Sequence, residues 1–152
     1  MAGNPRFIPI ATAYQAGAPR VFLPFEEGNG RLRDLSGLLD FGTVVQIFDG
    51  QAPWQLTDET ATQYAEATRA YFRAHGFTPA DAVVAIGDPL VISITVAMAA
   101  QESGGRVTVL RWDRLPCVRC GRYKNLECRE HVIAGRYVPV RVTLPLDRTR
   151  TA

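Results

Sequence analysis

The sequence predicts an α/β fold, a small Rossmann-like three-layer domain on a mostly parallel sheet, and three observations lead there. From residue 42 onward, short β-branched runs alternate with stretches of helical periodicity. One of those runs, residues 82–86 (AVVAI), is continuously apolar, as strands covered on both faces are. Each of the first two runs is followed by a helix-start signal, Thr57-Asp58-Glu59 and Asp88-Pro89.

The elements follow in order. Residues 43–48 (TVVQIF) read as a strand that turns at Asp49-Gly50. Thr57 caps a helix whose first turn carries Asp58 and Glu59, where the helix dipole favours acids. Ala61, Tyr64, Ala65, Thr68, Tyr71 or Phe72, and His75 then recur at helical spacing, and Gly76 stops the helix. After the buried strand 82–86, Asp88 is the N-cap and Pro89 the first helical residue of a helix that reaches about Ser103 and ends at Gly104-Gly105. Residues 106–112 (RVTVLRW) form a third strand. Residues 137–144 (YVPVRVTL) form the last, and Pro139 places it at an edge. Right-handed crossovers make the first three strands parallel. The fourth returns beside the third, with a cysteine-bearing loop inserted at 115–135.

Upstream, Pro5, Pro9, Pro19 and Pro24 alternate with Gly17, Gly28 and Gly30. Residues 1–41 therefore read as an extended arm whose short apolar runs, 7–10 and 21–25, form edge strands, and residues 42–152 as the α/β domain. Such an arm packs on its own body or on a neighbouring subunit, so self-association or a larger assembly is one expectation.

At 152 residues, 47% hydrophobic and 21% charged, the composition is that of one globular domain. Residues 1–4 lack the basic and apolar segments of a secretory signal. The apolar run 82–100 is broken by Gly87-Asp88-Pro89, leaving a stretch well short of the ~20 residues a membrane span needs. A soluble, cytoplasmic protein without a membrane partner is expected. Net charge is +2, yet unevenly spread: residues 1–105 carry six basic side chains against eleven acids, and residues 106–152 eleven basic against four acidic. Ten of those eleven are arginines, which points to a polyanionic partner for the C-terminal third, or to two oppositely charged surfaces.

The chemistry concentrates in one segment. Cys117, Cys120, Cys128 and His131 have the spacing C-x2-C-x7-C-x2-H and include every cysteine of the chain. Paired C-x2-C and C-x2-H turns each present two ligands to one tetrahedral ion, so a closed, structural zinc site is expected. Disulfide pairing would leave one cysteine over. Gly121 directly after the second cysteine resembles the zinc knuckle of zinc ribbons and rubredoxins, a likeness confined to residues 116–131. Pro116-Cys117-Val118-Arg119-Cys120 also resembles the P-C-x-x-C half of the zinc deaminase signature. The H-x-E half is missing, because His75 is followed by Gly76-Phe77, so no glutamate is placed for proton transfer. Residues 126–131 are similar to a stretch of HNH-type endonucleases, without the second cysteine pair or the Asn/His-bearing helix. No catalytic residue is assigned, and the chain reads as non-enzymatic.

Around the ligands stand Arg111, Arg114, Arg119, Arg122, Lys124, Arg129 and Arg136, with Tyr123 and Tyr137 interleaved. Basic groups neutralise phosphates and aromatic rings stack on bases, so this is the candidate nucleic-acid surface. The same arginines would also offset the charge of a three-thiolate centre. A candidate ligand crevice, suited to a nucleotide-handling enzyme, is formed by Asp49, Gly50, Gly87 and Asp88 at strand ends. Capping by Asp88 accounts for its Asp-Pro pair without any ligand.

Overall fold

The computed structural model describes residues 7–9, 17–25, 36–50, 56–123, 127–129 and 134–145. They form a mixed α/β fold with a five-stranded, mostly parallel sheet and two helices. The strands are β1 (Arg20–Leu23), β2 (Thr43–Gln46), β3 (Ala82–Ala85), β4 (Arg106–Leu115) and β5 (Ala134–Thr143), in the order β2-β1-β3-β4-β5. Pairing is parallel from β2 through β4, and β5 returns antiparallel on β4. The helices are α1 (Asp58–His75) and α2 (Pro89–Glu102). Neither is long and apolar enough to cross a membrane.

Strand order dictates which face each connection covers. The steps β2 to β3 and β3 to β4 run the same way across the sheet, so right-handed crossovers put α1 and α2 on one face. The step β1 to β2 runs the other way and brings the 3-10 turn Ser36–Asp40 to the opposite face. The packing follows this rule. Phe22, Val45, Val83 and Val107 meet Tyr64, Tyr71, Phe72, Val91 and Ala99 on the helix side. Val21, Leu23, Ala82, Val84 and Leu110 meet Leu38 and Tyr137 on the other.

The helix ends behave as their sequences require. Thr57 and Thr60 form a reciprocal capping box on α1, and Gly76 closes it at φ 65°. Asp88 Oδ1 accepts from the N–H groups of Leu90 (2.8 Å) and Val91 (3.1 Å), and Pro89 opens α2. The two helices are joined by a 2.6 Å hydrogen bond between the Tyr64 hydroxyl and Thr95 Oγ1. Burial outweighs that bond and pushes the Tyr64 hydroxyl up to about 12.

One strand lies where the sequence did not place it. Residues 21–25 were expected at an edge, but β1 is internal, between β2 and β3, and β2 forms the edge instead. The prolines explain the difference: Pro19 and Pro24 flank the strand rather than interrupt it, so no residue of Arg20–Leu23 lacks a backbone N–H. All four of its residues are buried. The expected division at residue 42 thus does not separate β1 from the sheet. Phe7 is also buried, against Phe25, Phe48 and Tyr64, and Pro9 bridges to Phe48.

β1 opens on a buried ion pair. Arg20 donates from Nε to Asp81 Oδ1 (3.1 Å) and from Nη2 to Oδ2 (2.8 Å), and its backbone N–H also reaches Oδ1 (3.0 Å). Its remaining guanidinium capacity goes to the carbonyls of His75 (2.7 Å) and Gly76 (2.9 Å), the last turn of α1. Thr78 donates to Asp81 Oδ2 from both its N–H and its hydroxyl. Breaking one partner strands the other charge inside the protein. Asp81→Ala is therefore expected to lower unfolding free energy by about 3–5 kcal/mol in urea titrations. Arg20→Lys should recover only part of the loss, because a lysine cannot fork onto the carboxylate and reach two carbonyls.

The same arrangement bears on His75, whose ring stacks on Tyr71 at 4.1 Å. Desolvation, and secondarily the Arg20 charge, lowers its pKa below the usual 6.5. A depressed histidine pKa means that the unfolded chain binds the proton more readily. Stability from this group should be intact above about pH 6.5 and decline as pH falls below it. Thermal melts of His75→Gln should show a shallower acid-side decline than wild type over that interval.

Candidate metal centre and basic ribbon

β4 outruns its parallel neighbour. β3 pairs with Thr108 to Arg111, whereas Trp112 to Leu115 pair with Tyr137 to Ala134 of β5. Among the described residues, these four pairs form a two-stranded ribbon that projects past the carboxyl end of β3 by about 13 Å, at ~3.3 Å per residue. Its base is packed rather than bare. The Trp112 and Tyr137 rings meet edge-on at 4.9 Å. Gly135 lies beneath the Trp112 ring so closely that any Cβ there would overlap it.

At the ribbon's end, the connection between Leu115 and Ala134 carries the cysteines. The Sγ atoms of Cys117, Cys120 and Cys128 all lie within 4.8 Å of one another, Cys117 buried and the other two half-buried. The first turn is closed twice, by Gly121 N–H donating to Cys117 O (2.8 Å) and Cys117 N–H donating to Arg122 O (3.0 Å). Gly121 sits at φ 67°, a left-handed conformation that a knuckle turn requires and that glycine adopts without strain. Cys120 Sγ lies 3.8 Å from Arg122 O.

Three thiols so placed could hold one metal ion. Thiolates around a tetrahedral zinc with ~2.3 Å bonds stand about 3.8 Å apart, which a small contraction of this cluster reaches. Soft sulfur donors favour zinc and comparable ions over calcium or magnesium. His131, the expected fourth ligand, lies outside the described residues, as does Lys124.

The expected basic residues divide by the pleat. Val107 and Val109 point to the helix side, so Arg111, Asp113 and Leu115 share that face, together with their cross-strand partners Val138 and Arg136. Leu110 and Trp112 point the other way, so Arg114, Gly135 and Tyr137 occupy the opposite face. Arg119, Arg122 and Arg129 are exposed in the cysteine loop itself. Arg136 Nε approaches Asp113 Oδ2 at 4.0 Å, an exposed pair worth at most about 1 kcal/mol. The arginines thus surround the ribbon and its tip instead of lining one side. Sequence reasoning missed the ribbon and the exposure of Val118, 85% accessible at the tip. Residues 112–115 (WDRL) run apolar, polar, polar, apolar, so no alternation in the sequence marked the strand's extension.

The four crevice residues follow the carboxyl ends of β2 and β3. β1 lies between β2 and β3, so the two strands themselves are two strand spacings, about 10 Å, apart. Asp49 donates its N–H to Ile8 O at 2.9 Å, and the Asp88 carboxylate is engaged by the α2 cap. Phe7, Phe25 and Phe48 pack together near the ends of β1 and β2, beside Asp49 and Gly50.

The family model for the Phage Pam3 gp32-like protein matches residues 19–129, more than half of the chain. The chain belongs to that family. The Pam3 gp32-like match opens one residue before β1 and closes one residue after Cys128, so it takes in all three cysteines and not His131. It covers most of the chain, unlike the local zinc-knuckle resemblance at 116–131. No curated protein and no solved structure matches the chain.

Metal analysis of purified protein is expected to return about one ion per chain. Cys128→Ser should lose it, and a chelator should lower the thermal midpoint of wild type while leaving that of Cys128→Ser in place. His131→Ala should weaken retention without abolishing it, since three thiolates remain.

Proposed function

We propose that this phage-family protein is a non-enzymatic, zinc-binding protein that contacts nucleic acid through the β4–β5 ribbon and its cysteine loop. On this reading Cys117, Cys120, Cys128 and His131 hold the zinc, which closes the loop and carries no reaction, and the Rossmann-like body is a scaffold. The observation behind the proposal is the projecting ribbon, with Arg111, Arg114 and Arg136 on its strands and Arg119, Arg122 and Arg129 around the cysteines, all exposed. Side chains on both faces of a narrow ribbon reach phosphates on more than one side.

Binding of this kind weakens with salt because each neutralised phosphate releases counterions. With about four phosphate contacts, affinity for a labelled oligonucleotide should fall roughly 50- to 150-fold between about 50 and 200 mM salt. Arg119→Ala or Arg114→Ala should each reduce the slope of log K against log salt by about one. A salt-independent affinity would sink the proposal.

One observation favours a second reading, a protein contact in an assembly: Val118 and Leu115 leave apolar surface exposed around the same tip. On that reading Val118→Asp abolishes association measured by light scattering and leaves oligonucleotide affinity unchanged.

A further inference from the structure

We infer that Cys120 and Cys128 form an oxidation site: an oxidant of the peroxide class joins them in a disulfide, and the metal then leaves. The inference rests on the metal reading above and adds a regulation of that same site. It starts from unequal exposure within one cluster. Cys117 is 1% exposed, and both backbone hydrogen bonds that close the first turn involve it. Cys120 and Cys128 are only half-buried, on a tip whose neighbours Val118, Arg119, Arg122 and Arg129 are exposed. A small neutral oxidant arriving from solvent therefore meets Cys120 and Cys128 ahead of Cys117. Oxidation of cysteine follows access, and a second thiol in reach diverts the first oxidation product into a disulfide. The Sγ atoms of the cluster lie within 4.8 Å of one another, a gap that rotation of two side chains closes to a ~2.05 Å bond.

In the first step one sulfur attacks a peroxide oxygen, the O–O bond breaks, and a sulfenic acid forms with release of water. The second sulfur then attacks the sulfenic sulfur, the S–O bond breaks, and the disulfide forms with release of a second water. The cysteine pair loses two electrons and the peroxide gains them. Two protons enter the waters, from the thiols or, where these are already ionised on a metal, from solvent. Only the thiolate ligates, so the disulfide removes two of the three sulfur donors together. Cys117 and His131 then remain, half the ligands of a closed tetrahedral site. The oxidised tip loses its metal staple, whereas the Trp112–Tyr137 contact at the ribbon's base involves no cysteine and stays.

The test uses the full chain, purified in reductant, desalted, loaded with zinc and treated with hydrogen peroxide. After alkylation, trypsin cuts behind Arg114, Arg119, Arg122, Lys124 and Arg129, which puts each cysteine on its own peptide: LPCVR, CGR and NLECR. Mass spectrometry is expected to find CGR joined to NLECR, with Cys117 alkylated. About one zinc per chain should pass to a chromogenic chelator, and dithiothreitol with fresh zinc should restore the loaded form. Cys117→Ser should still give the CGR–NLECR disulfide. Three alkylated cysteines after peroxide, LPCVR as a joined peptide, or sulfinic acid in place of a disulfide overturns the inference and leaves the metal reading standing. A chain that takes up no zinc yet joins CGR to NLECR overturns the metal reading and leaves the oxidation site. Neither zinc nor disulfide overturns both.

Discussion

The fold depends on Arg20 and Asp81. Two charges with side chains 8% and 2% exposed are costly to desolvate, and they persist here because nearly every donor and acceptor between them is used. Arg20 spans three elements at once: it begins β1, forks onto Asp81 just ahead of β3, and takes the carbonyls that α1 leaves unpaired at its C-terminus. Its guanidinium also lies 5.1 Å from the Phe22 ring centroid, so the charge rests on the aromatic core as well. The pair thereby sets the register between the strand that enters the sheet first and the helix that crosses over it. Hydrophobic burial supplies the bulk of the driving force but is non-directional. The forked pair is directional, and it is what makes β1 an internal strand with one position.

The β4–β5 hairpin is a different kind of structure. Where β3 supports β4, the hairpin is part of the core, through Val107 and Leu110. Beyond Arg111 that support ends, and Trp112, Tyr137 and Gly135 take over as a local aromatic clasp. Beyond Leu115 the clasp ends too, and the eighteen-residue connection to Ala134 has no strand or helix among its described residues. Closing such a loop carries an entropic cost that grows with its length, and a metal bound by preformed thiol geometry is an efficient way to offset it. Sheet, clasp and cysteine cluster thus form a sequence of supports of decreasing size, each taking over where the previous one runs out.

Much of this was legible in the residues, and what was not has identifiable causes. Thr57 and Asp88 announced both helices because capping is a local hydrogen-bonding problem that a few residues solve. The cysteine spacing announced the Sγ cluster for the same reason: ligand geometry is fixed by turns only a few residues long. β1 was misplaced because proline density suggested an edge, while the evidence for an interior strand lay in Asp81, sixty-one residues away. The ribbon was missed because its existence depends on β3 ending early, a property of the neighbour and not of β4. Local chemistry can be read from sequence, and pairings between distant segments are weakly encoded in any one of them.

The uneven charge gains a physical meaning once the topology is in place. Asp49, Asp58, Glu59 and Asp88 are all exposed, and they cluster by topology at one end of the molecule, where β2 and β3 finish and both helices begin. The ribbon projects from that same end, beside β3. The carboxylates on the body and the guanidinium groups on the ribbon each act mainly within about one Debye length, ~8 Å at physiological salt. Opposite signs are thus held on separate surfaces, which the net charge of +2 does not reveal. Helix N-termini, ordinarily sites that draw anions, are here already occupied by their own acidic caps and first turns. The segregation of sign along the chain thus becomes, in space, a separation between an acidic strand-end surface and a basic, cysteine-bearing tip.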